Sequence, residues 1–517
     1  MIKNLNRRMW AFFIVFALLN AAVIGRIYLV GINKKTAADL SYSGFSLTIE
    51  HKRGTIFDRN GRPLTNDKTQ TVAVFTPQTL SDDRINMYLT ETQINALKSG
   101  TPVAADVDDS FEMTGAYTAD VNRSSDRSPA HLLGYIDSDG KGISGIEQSF
   151  DKILSGGDIC CIVRRDALGN ALSQGVKFSG GDNKTGSVTL TIDSEWQSAI
   201  ESAAKRYIKK GAAIALDMNT AEILASVSLP EYKKSRIADY LDDPDSPFVN
   251  RALSAFPVGS VFKISTAAAA LSKGVSLDYI CRGTLTLGNA KFGCMNGRAH
   301  GPLTLESALG VSCNTYFVTL STMLKSTDLL NTAKLLGFGA GVRLCGGISS
   351  ASGSLPSAEE LKISGEKANF AFGQGRLTAS PLQIASVIQT VAGGGQRAVP
   401  TLIKSVTDKS GKTSEPTAEP PVRALSAQTA DTLKKYLRSA AENGTAASGK
   451  VNGLTVGGKT ATAETGGSLD AWFAGYCDEL GVCIAVLCEN GSSGSQDAAP
   501  VFRQALSAMQ EKKLRRN

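Results

Sequence analysis

Apolar residues form one long run near the N-terminus. Residues 9–25, MWAFFIVFALLNAAVIG, are apolar except for Asn20, and more apolar residues follow Arg26. A run of this length is sufficient to cross a membrane as a helix. Basic residues precede it, so the positive-inside rule puts the N-terminus in the cytoplasm and the chain after about residue 33 outside. A cleaved signal peptide is the alternative, but the pattern has no clean cleavage site and apolar residues continue past it.

The polar and apolar pattern then divides the rest of the chain into two parts. Residues 34–186 are rich in Thr, Ser, Asp and Gly with short strand-like runs, and they end in a polar linker, SGGDNKTGS. From residue 187 the pattern is typical of α/β structure, with a helix at 194–211 and a helical middle. Strands are predicted on both sides of this middle, at 212–218, 221–229, 454–464, 471–477 and 481–489. One sheet built by both ends of the segment follows, with helices on its faces.

One predicted helix has both ends marked by its sequence. Ser426 can cap its start and Gly444 can end it. Between them Ala430, Leu433 and Leu437 fall on one face, as in a helix that packs against a core.

Composition narrows the class of protein. The 517 residues are 42% hydrophobic and 20% charged, which is ordinary for a globular protein. The net charge of +7 is modest and scattered, so nucleic acid is not a predicted partner.

The nine cysteines cannot all pair within the chain, because their number is odd. Cys281 and Cys294 flank RGTLTLGNAKFG, in which a Gly-Asn turn joins two strand-like runs. This hairpin would bring the two cysteines together, but a disulfide there depends on the redox environment, and the pairing is left open. His300, in RAHGPL, is interpreted as a structural residue.

The segment FPVGSVFK, 256–263, places a serine and a lysine three residues apart. On a helix Ser260 and Lys263 would lie on one face. Alone, the pattern is far more often a serine helix cap followed by a solvated lysine, because single short motifs are weak. Two later motifs change this interpretation: SCN at 312–314 and KTAT at 459–462. Ser-x-x-Lys, Ser-x-Asn and Lys-Thr-Gly in this order are the signature of enzymes that react with penicillin.

These residue types suit acyl transfer. Ser260 would attack a carbonyl, and Lys263 would take its proton if burial beside Lys459 lowers its pKa. Ser312 can relay that proton to the leaving amine, while Asn314 orients Lys263 and binds the substrate amide. A terminal carboxylate can be held by the third motif, in which the polar residues are Lys459, Thr460 and Thr462. The N–H groups of Ser260 and of the strand near Thr462 would form the oxyanion hole.

Other hydrolytic chemistries lack parts. The chain has three histidines and no Gly-x-Ser-x-Gly, His-Glu-x-x-His or Cys-x-x-Cys segment. Histidine-based and zinc-based hydrolysis are therefore not predicted, and neither a metal site nor a cofactor is expected.

The chain also resembles the class B penicillin-binding proteins, the anchored peptidoglycan transpeptidases, along nearly its whole length. KRGTIFDRNGRPL (52–64) is similar to their pedestal signature. Further similar segments are HLLGYID, GISGIEQSFDKILSG, NRALSAFPVGSVFK, FAFGQGRLTASPLQIA and DAWFAGY.

The resemblance implies a fold: an α/β (α+β) penicillin-binding transpeptidase fold, with an antiparallel sheet flanked by helices and a β-rich pedestal. The domains would be a cytoplasmic N-terminus and membrane anchor at 1–33, an extracytoplasmic, dimerisation-like pedestal at 34–186, the transpeptidase domain at 187–512 and a basic tail at 513–517. The protein would be a single-pass protein of the cell membrane with its catalytic domain outside.

The resemblance also implies an activity. A D,D-transpeptidase would form a Ser260 acyl-enzyme with a peptidoglycan stem peptide, pass it to an amine, and be inhibited by penicillin and other β-lactams. No glycosyltransferase module is evident, so a membrane-embedded glycan polymerase and other cell-wall assembly proteins are the expected partners. Ala461 replaces the glycine of most relatives, which would change the strand against which substrate lies.

Three alternatives remain from the residues. A D,D-carboxypeptidase would pass the acyl group to water. A β-lactamase needs fast deacylation, and no Glu-x-x-Leu-Asn segment supplies its base. A non-catalytic scaffold or β-lactam sensor would have no need for the intact motifs.

Overall fold

The computed structural model describes residues 2–32, 44–124, 129–165, 171–180 and 184–516. These form two compact units that alternate along the chain. The first comprises 1–52, 68–123 and 156–183, and the second comprises 53–67, 124–155 and 184–517. Residues 53–67 and 124–155, which the sequence analysis assigns to the pedestal, thus cluster with the second unit. The domain boundaries given above stay a prediction.

The N-terminal apolar run is helical, as predicted. Helix α1 spans Ile2–Ile32, and its segment Met9–Leu29 is long and apolar enough to cross a membrane, with none of it buried in the protein. In the described residues it is the only such helix, which is consistent with a single span.

The first unit is built from two three-stranded sheets, ordered β1-β6-β7 and β4-β3-β5. Helix α2, Glu91–Lys98, lies between β3 and β4 in the sequence, and Thr90 caps its start in a capping box. Pairing of β3 with β4 and β5 is antiparallel. The strands are β1 Gly44–Arg53, β3 Lys68–Phe75, β4 Val103–Val107, β5 Ala116–Arg123, β6 Ser155–Arg165 and β7 Ala171–Gly180.

The second unit contains a five-stranded sheet in the order β10-β9-β25-β24-β23. Every neighbouring pair is antiparallel. The expectation of one antiparallel sheet formed by early and late strands is therefore confirmed, and β23 is an edge strand. The strands are β9 Gly211–Asp217, β10 Ile223–Leu229, β23 Val456–Glu464, β24 Leu469–Cys477 and β25 Val482–Cys488.

Helices cover both faces of this sheet, so its strands are almost continuously buried. Successive residues of a strand point to opposite faces: Trp472 and Ala474 belong to one apolar cluster, and Phe473 belongs to another. The first cluster includes α12, which is buried at every position; the second includes α6 and α14. The longer helices are α6 Ser194–Tyr207, α7 Lys263–Ser272, α8 Leu305–Gly310, α9 Asn314–Met323, α10 Ser326–Leu335, α11 Ser364–Phe372, α12 Pro381–Ala392, α13 Ala427–Asn443 and α14 Ala499–Arg516.

Helix α13 has the ends that its sequence predicts. The Ser426 side chain accepts a hydrogen bond from the Thr429 N–H, and Gly444 follows the last helical residue. The predicted face is fully buried, with Ala430, Leu433 and Leu437 all 0% exposed.

Smaller elements complete the second unit. Short helices are α3 Ala130–Leu133, α4 Gly145–Ser149 and α5 Asp151–Leu154. A four-stranded sheet has the order β2-β8-β20-β21 and comprises Ile56–Phe57, Ser187–Leu190, Ile403–Thr407 and Thr413–Ser414. Five strand pairs are β11 Phe256–Pro257 with β18 Thr378–Ala379, β12 Tyr279–Cys281 with β15 Gly301–Leu303, β13 Thr284–Leu287 with β14 Ala290–Gly293, β16 Arg343–Cys345 with β17 Ile348–Ser349, and β19 Gln396–Arg397 with β22 Val422–Arg423.

The RGTIFDRNG segment has a structural role within the second unit. The Arg53 side chain is buried and forms ion pairs with Glu147 at 2.5 Å and Asp151 at 2.8 Å. Asp58 accepts hydrogen bonds from the N–H groups of Asn60 and Arg62, each at 2.8 Å. Because buried charges require partners, this segment fixes its own turn and the helices that follow residue 144.

Candidate active site

The turn before α7 places Ser260 next to the edge strand of the large sheet. Gly259–Phe262 form a 3₁₀ turn that leads into the helix. Gly259 has φ +60°, and a Cβ there would lie 3.1 Å from the Thr462 carbonyl oxygen, so glycine allows both the backbone conformation and the close approach. The indole Nε1 of Trp472 donates to the Pro257 carbonyl at 2.9 Å and ties the turn to β24.

Lys263 lies at the centre of a network of four oxygens. Its Nζ is 3.0 Å from Ser260 Oγ, 2.8 Å from the Ser312 carbonyl oxygen, 3.2 Å from Ser312 Oγ and 2.6 Å from Asn314 Oδ1. The lysine side chain is 0% exposed, and Ser260 is half-buried. The first two motifs therefore meet around one amine.

The chemistry of these oxygens defines what a neutral Lys263 would do. The Ser312 carbonyl and Asn314 Oδ1 can only accept hydrogen bonds. They make the two shortest contacts and can take both N–H groups of a neutral amine. Its lone pair is then left for a hydroxyl, and Ser260 Oγ lies at hydrogen-bond distance.

Electrostatics favour that neutral form. Burial lowers the pKa of Lys263 from 10.5 to about 7, against an opposing effect of the Cys313 and Cys294 thiols. The pKa of Lys459 lies well below its ordinary value. Burial is the larger cause, and the nearby positive charge of Lys263 is the smaller one. Two buried lysines that repel each other make it costly for both to be charged.

The Ser312–Asn314 segment is held in an unusual conformation. Ser312 has φ +58°, a left-handed conformation that costs a non-glycine residue about 1–2 kcal/mol. Asn314 begins α9, and its Nδ2 donates to the Gly293 carbonyl at 2.9 Å. This second bond fixes the amide orientation, so that Oδ1 faces Lys263.

The third motif lies on β23. Lys459 is 0% exposed, and its Nζ donates to the Thr460 carbonyl at 2.9 Å. Thr460 Oγ1 donates to Thr445 Oγ1 at 2.8 Å. Thr462 is half-buried, whereas Ala461 is 3% exposed and belongs to the apolar cluster of Trp472. The Ala461 methyl therefore points into the core.

Most of the residues singled out from the sequence meet here. One hydrogen-bonded group contains Ser260, Lys263, Ser312 and Asn314. The third motif lies beside this group, because Gly259 packs closely against Thr462 and the charge of Lys263 acts on Lys459. Sequence reasoning missed Thr445 and the role of Trp472. Thr445 directly follows the glycine that ends α13, which was the one signal available for it.

Residues 211–507 match the family model of the penicillin binding protein transpeptidase domain. The peptidoglycan D,D-transpeptidase PbpA of Mycolicibacterium smegmatis is 31% identical over 404 residues, which cover 71% of this chain and 79% of that protein.

Solved structures give the same result for the fold. The D,D-transpeptidase domain of a peptidoglycan glycosyltransferase from Eggerthella lenta is 26% identical, with a TM-score of 0.67 over 90% of this chain and 99% of that one. A chain from a peptidoglycan synthase complex that coordinates polymerization and crosslinking is 24% identical, with a TM-score of 0.70 over 97% of this chain and 98% of that one.

Proposed function

The chain belongs to the penicillin-binding protein transpeptidase family, and from that premise we propose which residues carry its D,D-transpeptidase reaction. The protein is a serine-type acyltransferase of peptidoglycan. The observation that supports the assignment of its site is the contact of Lys263 Nζ with the hydroxyls of Ser260 and Ser312 and with Asn314 Oδ1, at 2.6–3.2 Å.

Acylation begins at Ser260. Its Oγ attacks the carbonyl carbon of the penultimate D-alanine of a stem peptide while Lys263 accepts the hydroxyl proton. The oxyanion is bound by the N–H groups of Ser260 and Thr462. When the C–N bond breaks, the proton passes from Lys263 through Ser312 to the leaving D-alanine amine. The product is an ester between Ser260 and the peptide.

Deacylation is the reverse process with another amine. An amine of a neighbouring stem peptide attacks the ester carbonyl and loses a proton to the same lysine and serine. The proton returns to Ser260 Oγ as the ester bond breaks. Neither step changes an oxidation state, because each exchanges one nucleophile for another at a carbonyl carbon.

Substrate orientation falls to the third motif. Lys459, Thr460 and Thr462 bind the terminal carboxylate, and the outer edge of β23 pairs with the extended peptide. A β-lactam carries a carboxylate and a strained amide, so it enters the same site and acylates Ser260. The Asn314 amide contacts the substrate amide beside Lys263.

The apolar helix and the family support a proposal for topology and partners. We place the catalytic unit outside the cell membrane, with α1 as a single-pass anchor whose basic N-terminus is cytoplasmic. The partner is a membrane-embedded glycan polymerase in a cell-wall assembly, as the peptidoglycan synthase complex with a similar chain suggests.

Covalent labelling with a fluorescent penicillin tests the nucleophile. We expect one labelled peptide, modified at Ser260, and no labelling of Ser260→Ala. Ser272→Ala is the matched control, because Ser272 is an exposed serine at the end of α7, the helix that follows Ser260. Labelling of a folded Ser260→Ala protein at another serine would refute the assignment.

A further inference from the structure

Four metal-ligating side chains meet directly behind the Ser312–Asn314 segment. The Sγ atoms of Cys281, Cys294 and Cys313 and a ring nitrogen of His300 all lie within 4.8 Å of one another. They come from four places in the chain: the end of β12, the residue after β14, the residue before β15 and the residue before α9. The transpeptidase reaction uses none of them.

Three of their six separations are close to those of a tetrahedral metal centre, and all six are within 4.8 Å. Zn²⁺ binds sulfur at about 2.3 Å and imidazole nitrogen at about 2.0–2.1 Å, so tetrahedral ligands lie about 3.8 Å apart for two sulfurs and about 3.6 Å for sulfur and nitrogen. The Sγ atom of Cys294 lies 3.7 Å from Cys281 Sγ and 3.6 Å from Cys313 Sγ. Cys281 Sγ lies 3.4 Å from His300 Nδ1.

The surroundings supply hydrogen bonds to sulfur. The N–H of Gly283 donates to Cys281 Sγ, and the N–H of Tyr316 donates to Cys313 Sγ, each at 3.4 Å. The buried Thr315 hydroxyl lies 3.3 Å from Cys281, 3.3 Å from Cys313 and 3.6 Å from Cys294. Such outer contacts are what thiolate ligands of a metal require.

A disulfide accounts for less of this arrangement. Bonded sulfurs lie about 2.05 Å apart, whereas Cys294 is almost equally far from Cys281 and Cys313 and is bonded to neither. Either pairing would leave one buried thiol and the imidazole unused. Apolar packing of inert thiols does not explain why a ring nitrogen of the half-buried His300 lies 3.4 Å from the Cys281 sulfur.

We propose that Cys281, Cys294, His300 and Cys313 bind one structural Zn²⁺ ion. Three thiolates and one neutral imidazole close a tetrahedral site with no position left for water, which distinguishes structural from catalytic zinc. Each thiol loses its proton to solvent on binding. The three cysteines are 0–6% exposed, so the ion is shielded from bulk solvent.

The site lies next to the catalytic residues in sequence. Cys313 stands between Ser312 and Asn314, and Cys294 follows Gly293, whose carbonyl accepts the Asn314 amide. Bound Zn²⁺ would fix both ends of that hydrogen bond and support the left-handed conformation of Ser312. The ion acts as a positioning element for Lys263. This consequence rests on the proposed function, whereas metal binding itself does not.

Metal content of the full chain, purified in detergent without added metal, tests the proposal. We expect about one Zn²⁺ per chain, and visible d–d bands of tetrahedral thiolate-bound cobalt after exchange with Co²⁺. Cys281→Ser should lose most of the metal, while Cys345→Ser should keep it. Cys345 is a partly buried free cysteine outside the cluster, so it controls for the chemical change.

Because Cys281→Ser can fail to fold, alkylation of the wild-type protein provides a second measurement. Zinc should protect Cys281, Cys294 and Cys313 from iodoacetamide until a chelator is added. A wild-type chain without zinc, unchanged alkylation after chelation, or a disulfide within the cluster would each overturn the proposal. So would full zinc content in folded Cys281→Ser.

The effect on catalysis is measured separately. We expect chelation to slow acylation by penicillin at least about tenfold, and Zn²⁺ to restore it, since a small displacement of catalytic groups costs one to two orders of magnitude. Zinc content that responds as predicted without a change in acylation rate would support the metal site and refute its positioning role. Absence of acylation in the zinc-loaded protein would count against the proposed function alone.

Discussion

Replacing Lys263 with arginine distinguishes a general base at this position from a residue that supplies only positive charge. The Lys263 side chain is 0% exposed and surrounded by four oxygens within 3.2 Å. Arginine retains the charge and can donate to the same oxygens, but it stays protonated and cannot accept the Ser260 proton. If Lys263 is the base, Lys263→Arg must fail in acylation.

The expected loss is large. Removing a general base typically costs about 10²- to 10⁴-fold in rate, equivalent to about 3–5 kcal/mol in the activation barrier. A charge-only role would leave the rate within about tenfold, because the positive charge and most donors remain. Overpacking by the larger side chain costs about 1–3 kcal/mol of stability, which is why folded concentration must be matched.

The assay is a single-turnover acylation time course with a fluorescent penicillin, at equal folded concentration judged by thermal unfolding. Lys273→Arg is the matched control, because Lys273 follows the same helix and is 54% exposed in its ion pair with Asp328. We expect wild-type acylation by this control. Near-normal acylation by Lys263→Arg would refute the base assignment and move proton abstraction to Ser312 or water.

Further predictions concern stability, pH and the third motif. Ala461→Gly should lower the free energy of unfolding by about 1–2 kcal/mol, through the lost buried methyl and the added chain entropy, yet change acylation less than about tenfold because that methyl is buried; chemical denaturation and the acylation assay measure the two effects. Ser426→Ala should cost about 0.5–2 kcal/mol in the same unfolding measurement, since it removes the cap of α13; an unchanged unfolding midpoint would contradict the cap. Burial lowers the pKa of His131 from 6.5 to about 4, so the unfolded chain binds a proton that the folded chain does not, and stability should fall as pH drops from 6.5 towards 4. His131→Asn should flatten that part of a stability-against-pH curve, and an unaltered slope would refute its origin in His131.

The sequence predicts local structure best where several signals coincide. Helix α13 was bounded correctly because a capping serine, an apolar face and a terminal glycine all agree. The sheet was assembled correctly from early and late strands, because their apolar runs are too short for helices and the intervening segment is helical. The three candidate motifs could be identified together, because their occurrence in this order carries more information than any one of them alone.

Other features depend on contacts that sequence spacing does not encode. The cysteine and histidine cluster has no short ligand motif: its members lie at 281, 294, 300 and 313 and meet because β12 pairs with β15 and because Asn314 binds Gly293. A search for Cys-x-x-Cys cannot find such a site. The sequence predicts the hairpin between Cys281 and Cys294. This brings two of the four ligating residues together, which on their own are more typical of a disulfide. Residues 53–67 and 124–155 likewise belong to one compact unit through long-range contacts, among them the ion pair of Arg53 with Glu147.

The protonation state of Lys263 is a property of the folded protein in the same way. Its pKa falls to about 7 chiefly because the side chain is buried. Three of the oxygens around its amine come from Ser312 and Asn314, which lie 49–51 residues away in the sequence. Those oxygens are held by a left-handed serine and by an amide fixed to Gly293. The sequence therefore specifies which residues take part, whereas the reactivity of the pair Ser260 and Lys263 depends on how firmly the Ser312–Asn314 segment is held.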